Sequence, residues 1–249
     1  MKIAFRSSHP NDPARLALIE RYGHHETKDA EVIVALGGDG FMLQSLHYTR
    51  KHKLPVYGMN RGTVGFLMNE YKEDGLVERI QAAERAKIHP LKMRAEHVDG
   101  TVSEMLAINE VSLLRTGSQA ARLRVLVNGR ERLSQLVCDG AMVSSPAGST
   151  AYNYSAHGPI IPITANILAV TAVAAYRPRR WRGALIPMEA QVRFEVEHPD
   201  KRPVHANADG VRTGDVLAVD ISVDFETKMN LLFDPGHGLE ERLLNEQFQ

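Results

Sequence analysis

The feature that most constrains the fold is a change of hydrophobic period near Pro90. Before it, short apolar runs alternate with stretches of helical spacing. Residues 2–5 and 54–57 read as short strands, and residues 31–36 are a β-branched run of the kind buried in parallel sheets. Asn11-Asp12-Pro13 offers a cap followed by proline at the first helical position, which predicts a helix over residues 14–22; residues 41–52 and 74–86 repeat the helical pattern. Strands alternating with helices imply βαβ units and a parallel sheet. Beyond Pro90 the period falls to two. Leu123, Val125 and Val127 alternate with Arg122 and Arg124, and Asn128-Gly129 supplies a tight hairpin turn. Val192, Phe194 and Val196 alternate with polar neighbours, and Leu217, Val219, Ile221, Val223 and Phe225 form the cleanest alternation. Half-buried antiparallel strands follow from that pattern.

The expected architecture is α/β plus all-β. A Rossmann-like α/β domain spans residues 1–92, a β-sandwich-like domain spans residues 93–227, and residues 228–249 complete the first domain, with Leu239, Leu243 and Phe248 at helical spacing. A chain of 249 residues can bury a core in each. Lysine plus arginine equals aspartate plus glutamate, 30 of each, so no global field exists to recruit nucleic acid or an anionic membrane. The single cysteine, Cys138, excludes an internal disulfide and argues against a cysteine-based zinc site. The first residues are charged too soon for a signal peptide, and no apolar run approaches the roughly 20 residues needed to span a bilayer. The expected address is the cytoplasm.

Residues 31–36 feed Gly37-Gly38-Asp39-Gly40, which feeds a helix. The turn therefore lies at the carboxyl end of a buried strand, where α/β sheets bind ligands. Glycines let backbone N–H groups approach phosphates, and a helix N-terminus favours an anion, so Gly37 and Gly38 are candidates to cradle phosphate. Asp39 is the odd member. A carboxylate beside phosphates is repelled unless it holds a metal ion or accepts a proton, and either role belongs to phosphoryl transfer. The competing reading is a plain strand–helix turn with Asp39 capping the helix. Neither the Walker pattern nor the dinucleotide fingerprint fits the spacing.

From Asp139 an apolar stretch opens into the small-residue loop Pro146-Ala147-Gly148-Ser149-Thr150, followed by Ala151, Tyr152, Asn153, Tyr154 and Ser155. Its hydroxyls and amides could bond a base or ribose, and Tyr152 could lie flat against an aromatic ring. A polar turn starting a helix explains the same letters. Asn109-Glu110 stands between two β-like stretches. The amide can pair a donor and an acceptor with adenine or ribose, and the carboxylate can accept from two sugar hydroxyls, although a polar strand start also accounts for the dipeptide.

Together these pieces resemble the NAD kinase family. The likeness rests on Gly37-Gly38-Asp39-Gly40, on Asn109-Glu110, on the string from Asp139 through Ser155 to Gly158-Pro159-Ile160, and on residues 58–70. The compact length, the segment from Arg177 to Gly183 and Leu232-Phe233-Asp234-Pro235 are similar to the short bacterial branch. The resemblance implies an α/β domain plus a β-sandwich, and an enzyme that phosphorylates the adenosine ribose of NAD with ATP or inorganic polyphosphate. It implies a divalent metal, with magnesium the expected ion and no dedicated protein site, and a homodimer or homotetramer. It makes Asp39 the proton acceptor for the 2′-hydroxyl and puts Gly40 in the same pocket. By the same resemblance Phe66 would pack beside the dinucleotide, Asn109 and Glu110 would hold its adenosine half, and Thr150, Ala151 and Tyr152 would surround the adenine with Ser155 nearby. Asp139 would reach toward the nicotinamide side, across a subunit interface if the site is shared, and Ala174 would be a backbone contact.

The chain departs from the family pattern at His157, where a glycine is usual, and at Val137, where a basic residue is common; residues 171–176 also lack the expected prolines. Arg177, Arg179, Arg180 and Arg182 around Trp181 could bind phosphate, but such runs are more often solvated loops or subunit contacts. His205 and Asp209 are close in sequence and could flank a site, but a satisfied hairpin explains them better, and His205 is assigned no role. A non-catalytic NAD or NADP sensor is the alternative function. Asp39 argues against it, because a mere binder gains nothing from a carboxylate near phosphates.

Overall fold

The computed structural model describes residues 1–60, 65–179 and 181–236. They divide into two units, Met1–Ile88 with the chain from Thr227 onward, and His89–Glu226.

In the first unit β1 (Ile3–Ser7), β2 (Val32–Leu36) and β3 (Val56–Asn60) run parallel, with α1 (Pro13–Tyr22) and α2 (Asp39–Thr49) between them in sequence. Every residue of β2 is buried. A strand covered on both faces has no wet side, so its sequence is an apolar run instead of an alternation. The Asp12 carboxylate accepts the Ala14 N–H at 2.9 Å and Pro13 takes the first turn of α1. Leu18 of that helix joins Ile3, Phe5, Val34, Tyr57 and Leu76 in one apolar cluster.

The helical pattern over residues 74–86 proves shorter than its letters. Helix α3 (Leu76–Ala82) follows the two-residue strand β4 (Asn69–Glu70) and stops at Ala83, and Glu84–Ile88 form strand β5. The partner of β5 is Met229–Phe233, β17 in chain order, which enters between β3 and β5, parallel to the former and antiparallel to the latter. No local signal announces a strand whose ladder is supplied from the far end of the chain. Buried Asn69 latches this return: its amide donates to the Gly58 and Leu232 carbonyls at 3.0 Å each and its oxygen accepts the Asp234 N–H. Arg79 and the Tyr57 hydroxyl both hold the Asp234 carboxylate. The helical spacing at Leu239, Leu243 and Phe248 lies outside the described residues.

The second unit contains β6 (Leu91–His97), β7 (Val102–Ala107), β8 (Glu110–Arg115), β9 (Ala121–Val127), β10 (Arg130–Cys138), β11 (Gly140–Ser144), α4 (Tyr152–Ser155), β12 (Ile167–Val173), β13 (Gly183–Pro187), β14 (Val192–Val196), β15 (Val204–Ala208) and β16 (Val211–Val223). Its strands form an antiparallel sheet whose long member β16 belongs to two halves. The start of β16 pairs with β15, beside β8, β11, β12 and β13; its later part pairs with β6 and β14, beside β7, β9 and β10. Met93, Val125 and Phe194 from one half share an apolar cluster with Leu113, Val143 and Val170 from the other, the layered arrangement of a sandwich. Asn128 and Gly129 take left-handed φ of 51° and 72° in the β9–β10 turn, as their residue types predict.

The clean alternation in β16 is offset. A register shift falls between Val216 and Ala218, so Val216 and Val219 are buried while Leu217 is 40 % exposed. An inserted residue reverses which face later positions address. Phe225 lies beyond the strand and sets its ring 5.5 Å from His89.

Candidate functional site

The candidate residues fall in both units. In the α/β unit, β2 ends at Leu36 and α2 starts at Asp39, with Gly38 as its N-cap. Asp39 is therefore not the cap. Its carboxylate turns away from the helix and accepts the N–H groups of Phe66 at 2.9 Å and Leu67 at 3.0 Å. Gly65 makes that approach possible, since a Cβ there would lie 2.4 Å from an Asp39 oxygen. The two bonds fix the carboxylate while leaving lone pairs to accept a further proton. Phe66, expected for its ring, contributes here a backbone N–H.

The glycines of the turn have different duties. Gly37 donates its N–H to the Met59 carbonyl at 3.1 Å, so that group is spent on the sheet, and a Cβ would press on Phe41 at 2.9 Å. Among the described residues, nothing lies within 4 Å of a Cβ built on Gly38 or Gly40. No packing contact among them requires glycine at these two positions.

In the antiparallel unit, Asn109 and Glu110 stand where β8 begins. Successive side chains point to opposite faces, so Glu110, Ser112, Met142, Ser144 and Thr171 turn away from the apolar cluster that holds Val111, Leu113, Ala141, Val143 and Val170. The segment after β11 folds over this second face. Asn153 of α4 is wholly buried, accepts the Thr171 hydroxyl at 2.6 Å and donates to the carbonyls of Ser149 and Pro159. Ser145 donates to the Ile108 carbonyl at 2.6 Å and accepts the Gly148 N–H. Gly148 runs so close to Asn109 that a Cβ would sit 2.2 Å from its carbonyl oxygen. The small-residue loop is thereby stitched to Asn109-Glu110, with Thr150, Ala151 and Tyr152 half-buried beside it and Ser155 exposed at the end of α4.

Asp209, which sequence reasoning assigned to a satisfied hairpin, organises this cluster. Held left-handed with φ 48°, it accepts the N–H groups of Ile108 at 2.7 Å and Asn109 at 2.8 Å. The Asp-Gly letters signal only a turn; the register of β15 on β8, Ala208 opposite Val111, delivers the carboxylate. Two buried acceptor atoms remain without partners, the Asn109 side-chain oxygen and Glu110 Oε2. Burial, and then the charge of Asp209, push the Glu110 carboxyl up to about 7. Burial, with Glu110 and Asp139 behind it, also raises the Tyr152 phenol. Orphaned acceptors of this kind are costly unless something donates to them.

Asp139 and Ala174 lie at the other end of β11, where Gly140 pairs with Val173, while Glu110 pairs with Ser144. Over the four steps between these pairs a strand advances about 13 Å. Arg115 holds the Asp139 carboxylate at 2.5 Å, and Asp139 donates its N–H to the Val173 carbonyl. Ala174 is left-handed at φ 48°. His157 also is, at φ 62°, just past the end of α4. That position favours glycine, which accounts for the usual family residue and makes histidine a strained substitute. Val137 pairs with Arg122 on one side and bridges Arg177 on the other, so its neutral side chain sits between two arginines.

Two family models match the chain, ATP-NAD kinase N-terminal domain over residues 6–82 and ATP-NAD kinase C-terminal domain over residues 108–225. An NAD kinase of Cereibacter sphaeroides is 61 % identical over 228 residues, covering 92 % of this chain and 90 % of the relative. An NAD kinase of Caulobacter vibrioides is 57 % identical over 249 residues, covering 99 % and 96 %. Among solved structures, yeast NADH kinase complexed with NADH shares the fold at TM-score 0.82 and 18 % identity, covering 100 % of this chain and 87 % of that one. An NAD kinase from Archaeoglobus fulgidus in complex with ATP does so at TM-score 0.78 and 22 % identity, covering 99 % and 98 %. With both domain models matched in order and relatives alike along nearly their whole length, the chain belongs to the NAD kinase family and is a kinase.

Proposed function

We propose that the chain transfers a phosphoryl group from ATP, or from inorganic polyphosphate, to the 2′-hydroxyl of the adenosine ribose of NAD, giving NADP. The observation that carries this reading is the pair of buried, unpartnered acceptors on Asn109 and Glu110. They ask for a ligand with adjacent donors, and an adenosine offers an amine and ribose hydroxyls. Thr150, Ala151 and Tyr152 would enclose the adenine, Ser155 would lie nearby, and Asp139 and Ala174 would serve the nicotinamide half. Gly38 and Gly40, which no described residue packs against, would leave room for phosphate at the N-terminus of α2.

In the reaction the ribose oxygen forms its bond to phosphorus as the bond to the leaving group breaks, releasing ADP from ATP or a polyphosphate one unit shorter. Asp39 accepts the hydroxyl proton on a lone pair not used by Phe66 and Leu67. Among the described residues no group of three His, Cys, Asp or Glu could hold a metal ion. A divalent ion would come with the donor's phosphates, the mode magnesium prefers, and would neutralise charge on the transferred group. We place the enzyme in the cytoplasm as a homodimer or homotetramer; among the described residues no helix is long and apolar enough to cross a membrane.

The test is to incubate the protein with NAD, Mg²⁺ and either ATP or polyphosphate, and to detect product with an NADP-specific dehydrogenase. NADP is expected from at least one donor. Binding of NAD without NADP from either would leave a sensor instead of a kinase.

A further inference from the structure

The outer face of the second half-sheet carries a cavity that the proposed reaction does not use. It is an open depression of about 400 Å³ lined by Gln119, Arg122, Gln135, Tyr176, Arg177 and Arg202, together with Ala120 and Val137. Among the described residues its lining has three guanidinium groups and no carboxylate.

The neighbouring charges explain why these arginines are left over. Arg122 and Arg124 point to the same side of β9, away from the apolar cluster of Ala121, Leu123 and Val125. On that face Glu195 is taken by Arg124 and Arg193. Arg193 is further engaged by Glu96 and Asp220. Glu197, the remaining acid of β14's outward row, accepts from the Gln135 amide at 3.2 Å. Arg122 receives none of these carboxylates, and its Nε is buried without any partner. Arg177 is brought alongside by the bridge to Val137; its guanidinium lies 5.6 Å from the Tyr176 ring centroid, and among the described residues no carboxylate pairs with it. Arg202 gives one N–H to the Ala120 carbonyl and keeps the rest.

A buried donor with no acceptor, flanked by two more cations and two carboxamides, asks for a compact ligand of several oxygens and negative charge. Planar guanidinium forks match phosphate in both shape and charge. The geometry points to a phosphate-binding site at Arg122, Arg177 and Arg202, open enough to admit either an inorganic phosphate chain or the phosphates of a nucleotide.

The test titrates the full-length protein by calorimetry with inorganic tripolyphosphate and, separately, with uridine triphosphate. Wild-type protein is compared with Arg122→Gln and Arg177→Gln. Each substitution is expected to weaken one binding event about tenfold or more, the scale of a hydrogen bond to a charged group. Equal losses for both probes would show that the site reads phosphates alone; tighter binding of uridine triphosphate that the same substitutions weaken would identify a nucleotide as the source. Arg177 lies on an exposed loop, so its variant keeps the test available if Arg122→Gln fails to fold. Affinities and stoichiometries unchanged in a folded variant would overturn the proposal. So would a changed elution volume on a sizing column with phosphate binding intact, which would assign the arginines to a contact between copies.

Discussion

The two carboxylates that matter most are treated in opposite ways. In the α/β unit both oxygens of Asp39 are held by backbone N–H groups of residues 66 and 67. In the antiparallel unit Glu110 is buried with Oε2 unpartnered and faces the charge of Asp209. The first is a group fixed in advance, with lone pairs left over for the proton that the proposed reaction would give it. The second, in the proposed function, would be a group completed by the donors of a ligand. A residue that takes a proton during chemistry gains from a fixed position. A residue that reads a substrate gains from a missing bond that only the right substrate restores, because analogues leave it unpaired.

That contrast can be broken at either end. The largest effect is expected from Asp39→Asn, which removes the proton acceptor and also gives up one of the two backbone bonds from residues 66 and 67: initial rates of NADP formation should fall at least about 10²-fold. Gly65→Ala comes next. Its new methyl would collide with the Asp39 carboxylate, and kcat should fall about 10- to 100-fold from misplacement alone. Restoring the wild-type rate with alanine at 65 would mean that the tight approach is unimportant.

Glu110→Gln should weaken NAD binding about tenfold. The wild type carries a pH signature that this variant lacks. Its carboxyl is pushed up to about 7 by burial and by Asp209, so the acceptor form is lost as pH falls through that value and NAD affinity should fall with it. The same raised value makes the folded protein bind the extra proton. Glu110 therefore favours the fold at acidic pH, and that contribution disappears as pH rises from the ordinary carboxylate range through about 7. Melting curves of wild type and Glu110→Gln across that window should converge at the acidic end. Asp209→Asn should cost about 1–2 kcal/mol of stability, since an amide cannot accept from both Ile108 and Asn109 without turning an N–H toward one of them. His157→Gly is the smallest change, a gain of about 0.5–1 kcal/mol read by chemical denaturation, because glycine adopts a positive φ freely.

Much of this was legible in the letters, for a physical reason: local signals survive where local forces decide. The buried run of β2, the Asp12-Pro13 start of α1 and the Asn128-Gly129 turn each depend on neighbours in sequence. What stayed hidden depends on distant pairing. Strand β5 needed β17 to exist, and the shift at Val216–Ala218 came from the ladder with β6. At the candidate site, Asn109-Glu110 and the glycine turn could be picked out by residue type. Asp209, Asn153, Arg115 and Gly65 could not, because each acts on a partner brought near only by the fold. The Asp-Gly pair at 209–210 looked like a turn and is one; its second duty has no signature in a single sequence.

The central claim is a division of labour, with Asp39 serving the chemistry and Asn109-Glu110 the substrate. Its most direct test is calorimetric NAD binding to Asp39→Asn and Glu110→Gln, measured beside turnover of the same preparations. The account predicts that Asp39→Asn binds NAD with nearly the wild-type Kd while its turnover collapses, and that Glu110→Gln loses affinity and recovers most of its kcat at saturating NAD. An Asp39→Asn protein that no longer binds NAD, yet turns over normally once NAD is forced on by concentration, would contradict it.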